Sequence, residues 1–275
     1  IVISTGKIKA YIPKSGKAVL DSLYLGTTKT GDAVRLVAST QNRASGGEGD
    51  IRFTSFEGQI SRASVERAGD VRAVVKLEGS LSGAGREWLP FVLRMYFYAH
   101  SEQIKMVYSF VFDGDQDKDF IHSLGLRFSI AFSCGNGGVW SEPVQPLDGR
   151  RELRHDAPTD GVMGGKISPK ERRQETKENL QAEQMAGKRI PDFKTFDEQG
   201  RFLLSNWAQW DGYRLSQLSD EGFTIRKRAT ADSPWIGTYS GHRADGYAFV
   251  GDVSGGLGVQ LADFWQSYPS TIEIE

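Results

Sequence analysis

Residues 88–98 read WLPFVLRMYFY, and two similar stretches follow them, QIKMVYSFVF at 103–112 and FIHSLGLRFSIAF at 120–132. All three are rich in β-branched and aromatic side chains, which fit a pleated and half-buried strand. Short turn sequences separate them, Ala-His-Ser at 99–101 and Asp-Gly-Asp at 113–115. Because parallel neighbours need a long crossover connection, these stretches predict three antiparallel strands that run side by side.

The same pattern extends over most of the chain. Period-2 alternation or strand-like composition recurs near 7–12, 18–25, 33–40, 59–67, 71–77, 213–219, 222–228, 234–240, 245–251 and 256–263. Many strands joined by short turns, without helices between them, are typical of a two-layer antiparallel structure. The sequence therefore predicts an all-β protein with the architecture of an antiparallel β-sandwich.

One segment departs from this pattern. Ser168-Pro169-Lys170-Glu171 combines an N-cap residue, a proline in the first helical position and the returning glutamate of a capping box. Gly187 stands where a left-handed C-terminal cap is expected. The spacing predicts one helical insertion at about 169–186, and its thin apolar stripe places it on the surface.

Composition excludes several classes of protein. The chain has 34 basic and 35 acidic residues with a net charge of −1, and it has no long basic run. We therefore expect neither nucleic acid nor an anionic membrane surface as a partner. No apolar run approaches the roughly 20 residues that span a bilayer. The single cysteine, Cys134, excludes an internal disulfide framework and a cysteine-rich zinc site.

The organisation of the chain favours one domain. We find no internal repeat and no disordered linker in the 275 residues, so 1–275 is predicted to be a single β-sandwich domain. Strand-like runs stand at both ends, at 1–3 and 272–275, where polar slack is usual. We therefore expect a domain taken from a larger multidomain protein, with part of an active site elsewhere.

The loop at 113–119 places four carboxylates at alternate positions, and closely spaced oxygen ligands are what Ca²⁺ requires. The pattern departs from a helix–loop–helix calcium site, since Lys118 replaces the glycine and Leu124 stands where a bidentate glutamate belongs. A solvated hairpin loop is the alternative. No cofactor is expected except this conditional calcium, whose ligands would be Asp113, Asp115, Asp117 and Asp119.

Residues 255–270, GGLGVQLADFWQSYPS, are typical of a sugar-binding strand end. Aromatic faces cover the apolar C–H side of a pyranose, while amides and hydroxyls pair with its hydroxyl groups. Trp265, Gln266 and Tyr268 are the candidates here. Trp235 and Trp210 are further candidate sugar platforms, and for each tryptophan a place in the core is the alternative.

Arginine next to histidine is the second chemical pattern. It occurs at 150–155 and again at His242-Arg243. An arginine fork binds a carboxylate, and a neighbouring imidazole is able to take a proton. The alternative is that these arginines form surface pairs with Asp156 or Asp245. The chain lacks Gly-x-Ser-x-Gly, His-Glu-x-x-His, Walker A and dinucleotide motifs.

Several stretches resemble one family. Residues 86–98 and 110–128, and the run from Gly246 to Gly256 followed by Asp-Phe-Trp-Gln-Ser-Tyr-Pro at 263–269, are similar to the central β-sandwich domain of the exo-rhamnogalacturonan lyases. The resemblance covers roughly 1–150 and 200–275. It implies a galactose-mutarotase-like supersandwich between a smaller N-terminal β domain and a C-terminal α/α toroid.

The resemblance also implies an activity, β-elimination on the rhamnose–galacturonate backbone of pectin. The expected partners are then an acidic pectic polysaccharide or oligosaccharide and the neighbouring domains of the same chain. That substrate favours an extracellular or periplasmic location, and the free thiol leaves the cytoplasm open.

Elimination needs a cation for the uronate carboxylate, a base for the C5 proton and an acid for the leaving oxygen. We assign Arg243 to the carboxylate, His242 or His122 to the base and Tyr268 to the acid. Sugar binding is assigned to Trp265, Trp235, Gln266 and Trp210. The rival hypothesis is a non-catalytic module that binds carbohydrate or packs as a scaffold against the toroid, with a flat aromatic patch in place of a cleft.

Overall fold

The computed structural model describes residues 1–44, 50–129, 153–154, 212–228, 231–252 and 255–275. These residues form sixteen β-strands and no helix, which confirms the all-β prediction for the part of the chain that is described. The predicted helix at 169–186, Trp210 and the cluster at 150–155 lie outside it, apart from the short strand at 153–154. In the described residues, no helix is long and apolar enough to cross a membrane.

The chain divides into two compact units, Ile1–Ala131 and Phe132–Glu275. Unit 1 is one nine-stranded sheet in which β1 to β8 pair in sequence order and β9 pairs with β4. All its pairs are antiparallel. Its strands are β1 (Val2–Ser4), β2 (Ile8–Tyr11), β3 (Ala18–Leu25), β4 (Thr28–Gln41), β5 (Phe53–Arg67), β6 (Arg72–Gly83), β7 (Arg86–Tyr98), β8 (Ile104–Phe110) and β9 (Phe120–Ser129).

Strand β7 has the alternating burial that its sequence predicts. In β7, Phe91, Leu93, Met95 and Phe97 are buried, while the residues between them face outward. They belong to one core cluster that also draws side chains from β2 to β6. The alternation breaks at Leu89, which has a positive φ of 48°. There the register with β6 shifts, so that Trp88 and Leu89 are both buried.

The predicted order of the three neighbouring strands is wrong in its last member. β7 pairs with β8, but β9 pairs with β4 and not with β8. The connection from Phe110 to Phe120 is too long for a tight hairpin, and it folds back on β7 through Val111, whose N–H donates to the carbonyl of Pro90 at 2.9 Å. β9 instead packs alternate apolar side chains against the core of unit 1.

Unit 2 has two sheets over a common core. The four-stranded sheet has the order β13-β12-β11-β16 and is antiparallel, and the three-stranded sheet has the order β10-β14-β15, in which β10 and β14 are parallel. The strands are β10 (Leu153–Arg154), β11 (Gly212–Gln217), β12 (Phe223–Arg228), β13 (Ile236–Gly241), β14 (Tyr247–Asp252), β15 (Gly255–Gln260) and β16 (Ser270–Ile274).

The core of unit 2 joins side chains from both sheets. Leu215 and Phe223 come from the four-stranded sheet, Ala248 comes from the three-stranded sheet, and Phe264 comes from the turn before β16. Sheets that share an apolar core in this way form a sandwich. The prediction that 1–275 is one domain stays a prediction.

Candidate functional site

The candidate site lies in unit 2, where β13 ends and the chain turns towards β14. Gly241 is the last residue of β13, and a Cβ there would meet the ring of Phe223 at 2.6 Å. The strand therefore passes close over the core. His242 and Arg243 follow it directly, and their side chains are exposed. This close packing of backbone on ring fixes where the two residues leave the sheet.

Gln217 holds the backbone on both sides of Arg243. Its side chain is fully buried at the end of β11. Its Nε2 donates to the carbonyl of Ser219 at 2.7 Å and to that of His242 at 2.9 Å. Its Oε1 accepts from the backbone N–H of Ala244 at 3.0 Å. Because all three bonds are buried or partly buried, they hold this loop in one conformation.

Contacts of Gly246 place the turn that contains Phe264 and Trp265 beside this loop. Gly246 has a positive φ of 68°, and a Cβ there would lie 2.3 Å from the Cβ of Phe264. The carbonyl of Gly246 accepts from the N–H of Leu261 at 2.9 Å. Phe264 is completely buried, so it anchors the turn that carries the partly buried Trp265.

Arg243 and Trp265 form the centre of the site. The guanidinium carbon lies 4.2 Å from the centroid of the indole ring. Nε of Arg243 donates to the carbonyl of Asp220 at 3.2 Å. Among the described residues Arg243 makes no salt bridge, so its charge has no carboxylate partner there. A cation held on an aromatic face in this way keeps its terminal N–H groups for another acceptor.

Three other predicted residues belong to the same end of unit 2. His242 precedes Arg243, while Gln266 and Tyr268 follow Trp265 in its turn. His242 and Gln266 are exposed, and Tyr268 is 48% exposed. The structure therefore brings one cation, one imidazole, one amide and one phenol to the surface around a single loop and turn.

Trp235 lies at the other end of the four-stranded sheet. It precedes β13, whereas His242 follows it, and a strand of six residues spans roughly 20 Å. Its ring carries two guanidinium groups, from Arg214 at 4.3 Å and from Arg228 at 4.6 Å. The sugar-binding role of Trp235 stays a prediction, and these contacts favour the alternative that it packs.

His122 lies on β9 in unit 1. Its exposed side chain contacts the ring of Phe53, with the ring centroids 4.5 Å apart. Its role as a base also stays a prediction.

The aspartate loop of unit 1 is tied to β7. Asp119 accepts from Arg86 through both oxygens, at 2.6 and 2.9 Å. Asp113 accepts from the N–H of Leu89 at 2.8 Å, and Asp115 accepts from Lys118 at 2.7 Å. Hydrogen bonds from Arg86 and from the backbone of Asp115 lower the pKa of Asp119.

These contacts account for much of the loop's charge. In the described part of the chain, no group of three or more histidine, cysteine, aspartate or glutamate side chains is placed to hold a metal ion. The conditional calcium at Asp113, Asp115, Asp117 and Asp119 stays a prediction.

The sequence did not reveal Gln217 or Asp220 as parts of the site. Gln217 stands 25 residues from His242, whose carbonyl it binds, and Asp220 contributes only a backbone carbonyl to Arg243. Neither residue lies in a recognisable sequence motif. The available signal was the pair of glycines at 241 and 246, since glycine marks a close approach of the backbone.

A protein of Bacillus subtilis (strain 168) named "Uncharacterized protein YetA" is 29% identical to the chain over 293 residues. The match includes 100% of this chain and 31% of that protein. The chain thus spans about a third of the length of the curated relative that it matches.

A family model, described as the PcRGLX-like protein central beta sandwich domain, matches residues 1–275. The match includes both units and the Arg243 loop, and it confirms the resemblance to the central domain of the rhamnogalacturonan lyases. The chain therefore belongs to the family of PcRGLX-like central β-sandwich domains.

Proposed function

We propose that this domain belongs to a polysaccharide lyase that cleaves an acidic pectic polysaccharide, of the rhamnogalacturonan type, by β-elimination. The domain contributes one part of the substrate cleft. Neighbouring domains contribute the rest, in keeping with the third of the curated relative's length that the chain matches. The galactose-mutarotase-like type of sandwich and the helical insertion at 169–186 belong to the same proposal.

The observation that carries the proposal is the guanidinium of Arg243, which forms no salt bridge with any described residue. β-Elimination removes the proton next to a carboxylate, so negative charge develops on that group in the transition state. A fixed cation at hydrogen-bond distance stabilises this charge. Arg243 suits this role because Trp265 and the Asp220 carbonyl orient it, while no salt bridge within the described residues uses it.

The remaining roles follow from proximity. His242 is the proposed base for the C5 proton, because it adjoins Arg243 and is exposed. Tyr268 is the proposed acid for the leaving oxygen, since its half-exposed phenol follows Trp265 in the same turn. Gln266 offers an amide to sugar hydroxyls. Trp265 supports Arg243 on its ring, and its partly exposed side chain is proposed to contact the sugar.

A scaffold or carbohydrate-binding role without catalysis is the second candidate, and one observation favours it. Phe110, Val111 and Phe112 are 42%, 63% and 43% exposed in one continuous run at the end of β8. Consecutive exposed apolar residues are typical of a surface that packs against a partner. In this hypothesis the partner is the catalytic toroid domain of the same protein.

Elimination by the full-length protein tests the first proposal. We expect new ultraviolet absorbance from the unsaturated uronate when rhamnogalacturonan is supplied, and none with a neutral glucan. Arg243→Ala is expected to lower kcat/KM by about 100-fold or more, as loss of a charge-stabilising group does.

Arg226→Ala is the matched control, because Arg226 is exposed on β12 and forms no salt bridge in the described part of the chain. It should retain full activity. A fully active Arg243→Ala protein would remove Arg243 from the mechanism and favour the scaffold hypothesis. Absence of elimination in the wild-type protein would overturn the lyase proposal.

A further inference from the structure

We propose that unit 1 carries a binding site for a carboxylate-bearing polysaccharide on the outer face of β5, β6, β7 and β8. Its centre is a shallow groove of about 380 Å³, here called the β5–β7 groove, lined by Glu66, Arg67, Arg72, Val74 and Tyr96. The groove shares no residue with the Arg243 loop.

Strand register aligns complementary side chains across this face. Arg67 pairs with Val74, Val74 pairs with Tyr96, and Tyr96 pairs with Lys105. One row across four strands thus has a cation, an apolar residue, an aromatic ring and a second cation. With strands about 4.8 Å apart, the Cα atoms of Arg67 and Lys105 lie roughly 14 Å from each other.

The floor of the groove is buried. Val74 is 4% exposed, yet it does not belong to the core cluster of unit 1. It is therefore covered by side chains of the outer face. Arg72 contributes to this cover, since its guanidinium carbon lies 5.8 Å from the centroid of the Tyr96 ring.

The charges of the groove are divided into paired and unpaired groups. Glu66 accepts two hydrogen bonds from Arg94, at 2.8 and 3.0 Å, so the positive charge of Arg94 balances the negative charge of this carboxylate. These bonds lower the pKa of Glu66 and keep it ionised. Arg67, Arg72 and Lys105 form no salt bridge with any described residue.

Carboxylates near the groove are fewer than cations. Lys76 and Glu78 pair with each other at 2.6 Å, and Asp70 and Glu102 lie in the turns at the end of these strands. Arg62 adds a further cation opposite Glu78. The outer face therefore has an excess of positive charge, although the chain as a whole has a net charge of −1.

A chain of uronate sugars has the chemistry that this face complements. Its repeated carboxylates match Arg67, Arg72 and Lys105, which form no salt bridge with any described residue. Single-stranded nucleic acid fits less well, because it requires free aromatic faces for its bases and Arg72 lies over Tyr96. The choice of uronate among polyanions rests on the proposed function.

The test is affinity electrophoresis of the full-length protein in gels that contain polygalacturonate. We expect retardation of the wild type, which weakens as salt is raised. Arg67→Gln/Arg72→Gln should lower the apparent affinity by about 10-fold or more, because each charged hydrogen bond contributes substantially to binding. Arg67→Lys/Arg72→Lys should recover part of the loss.

The control variant is Lys14→Gln/Arg52→Gln, which removes the same charge from other exposed positions of unit 1. It should be retarded like the wild type. Hydrogen exchange should show protection of β6 and β7 on addition of polygalacturonate. Equal losses in both double variants, or an unprotected β6, would overturn the site.

Two further arms identify the ligand. Fully methyl-esterified polygalacturonate should not retard the protein, and equal retardation would exclude carboxylate recognition. An oligonucleotide that binds more tightly and depends on Arg67 and Arg72 would overturn the uronate assignment. Elimination of a short oligosaccharide should be unchanged in Arg67→Gln/Arg72→Gln. Loss of retardation with normal elimination, or the reverse, therefore separates failure of this site from failure of the lyase proposal.

Discussion

The two ends of the four-stranded sheet in unit 2 each place arginine on tryptophan, but their charges differ. At one end, Arg214 and Arg228 lie on Trp235 and form salt bridges of 2.6 Å with Glu273 and Glu275 respectively. At the other end, Arg243 lies on Trp265 and no described carboxylate pairs with it. Where carboxylates pair with the arginines, the arginine–tryptophan contact contributes to packing. Where no described carboxylate pairs with the arginine, its charge is available to a ligand.

The largest expected effect is on the anchor of the Arg243 end. Phe264→Ala removes a completely buried ring against Gly246, so we expect a loss of about 3–5 kcal/mol in the free energy of unfolding of unit 2. Urea denaturation measures this loss. Trp265→Ala, next to it but partly exposed, should cost much less. Equal losses would mean that the Arg243 end depends on Trp265 itself for stability.

The second prediction compares the two kinds of arginine directly. Arg228 is 15% exposed, and it donates to the carbonyl of Ala231 and to Glu275. Arg228→Gln should therefore lower the free energy of unfolding by about 2 kcal/mol. Arg243→Gln loses an exposed cation–π contact and should cost below about 1 kcal/mol. Thermal denaturation of both variants measures the difference, and the reverse order would break the comparison.

The third prediction uses pH. Burial raises the pKa of Glu273, but hydrogen bonds from Arg214 and Glu275 and the charge of Arg228 outweigh it, and the net pKa is lowered. A lowered pKa adds stability above the unfolded value of 4.5, and this is lost as pH falls further.

Hydrogen exchange of β11 and β16 measures the effect. Protection should fall below about pH 4.5 in the wild type, and Glu273→Gln should flatten that dependence. If Glu273→Gln left the acid dependence unchanged, the Trp235 end would not owe its stability to this carboxylate.

The smallest expected effect concerns a third arginine–tryptophan contact, in unit 1. Arg86 lies 4.4 Å from the centroid of the Trp88 ring and pairs with Asp119. Because the pair is partly exposed, Asp119→Asn should cost about 1 kcal/mol in urea denaturation. The loss should be absent at pH well below 3.8, where Asp119 is protonated in both states. Asp117→Asn is the control, since the Asp117 side chain makes no hydrogen bond or salt bridge within the described residues and only its backbone N–H donates, to Asp115.

Prediction from sequence succeeded where the signal is local. Alternation in β7 predicted which side chains are buried, and composition predicted an all-β chain. The sequence also predicts site roles for the Trp265 turn and for the His242–Arg243 pair. Those roles stay predictions, and the structure places Arg243 over the Trp265 ring. Trp235 is predicted to bind sugar from its residue type alone. It lies at the end of the four-stranded sheet opposite the Arg243 loop.

The sequence by itself determined the strands, the family and the residue types of the candidate site, because a period of two and a local motif are readable from neighbouring residues. Only the tertiary structure decided that β9 pairs with β4 and that Glu273 neutralises Arg214. The partners in that ion pair are 59 residues apart. Whether an arginine is paired or available depends on such through-space contacts, which strand pairing creates and which no local pattern contains.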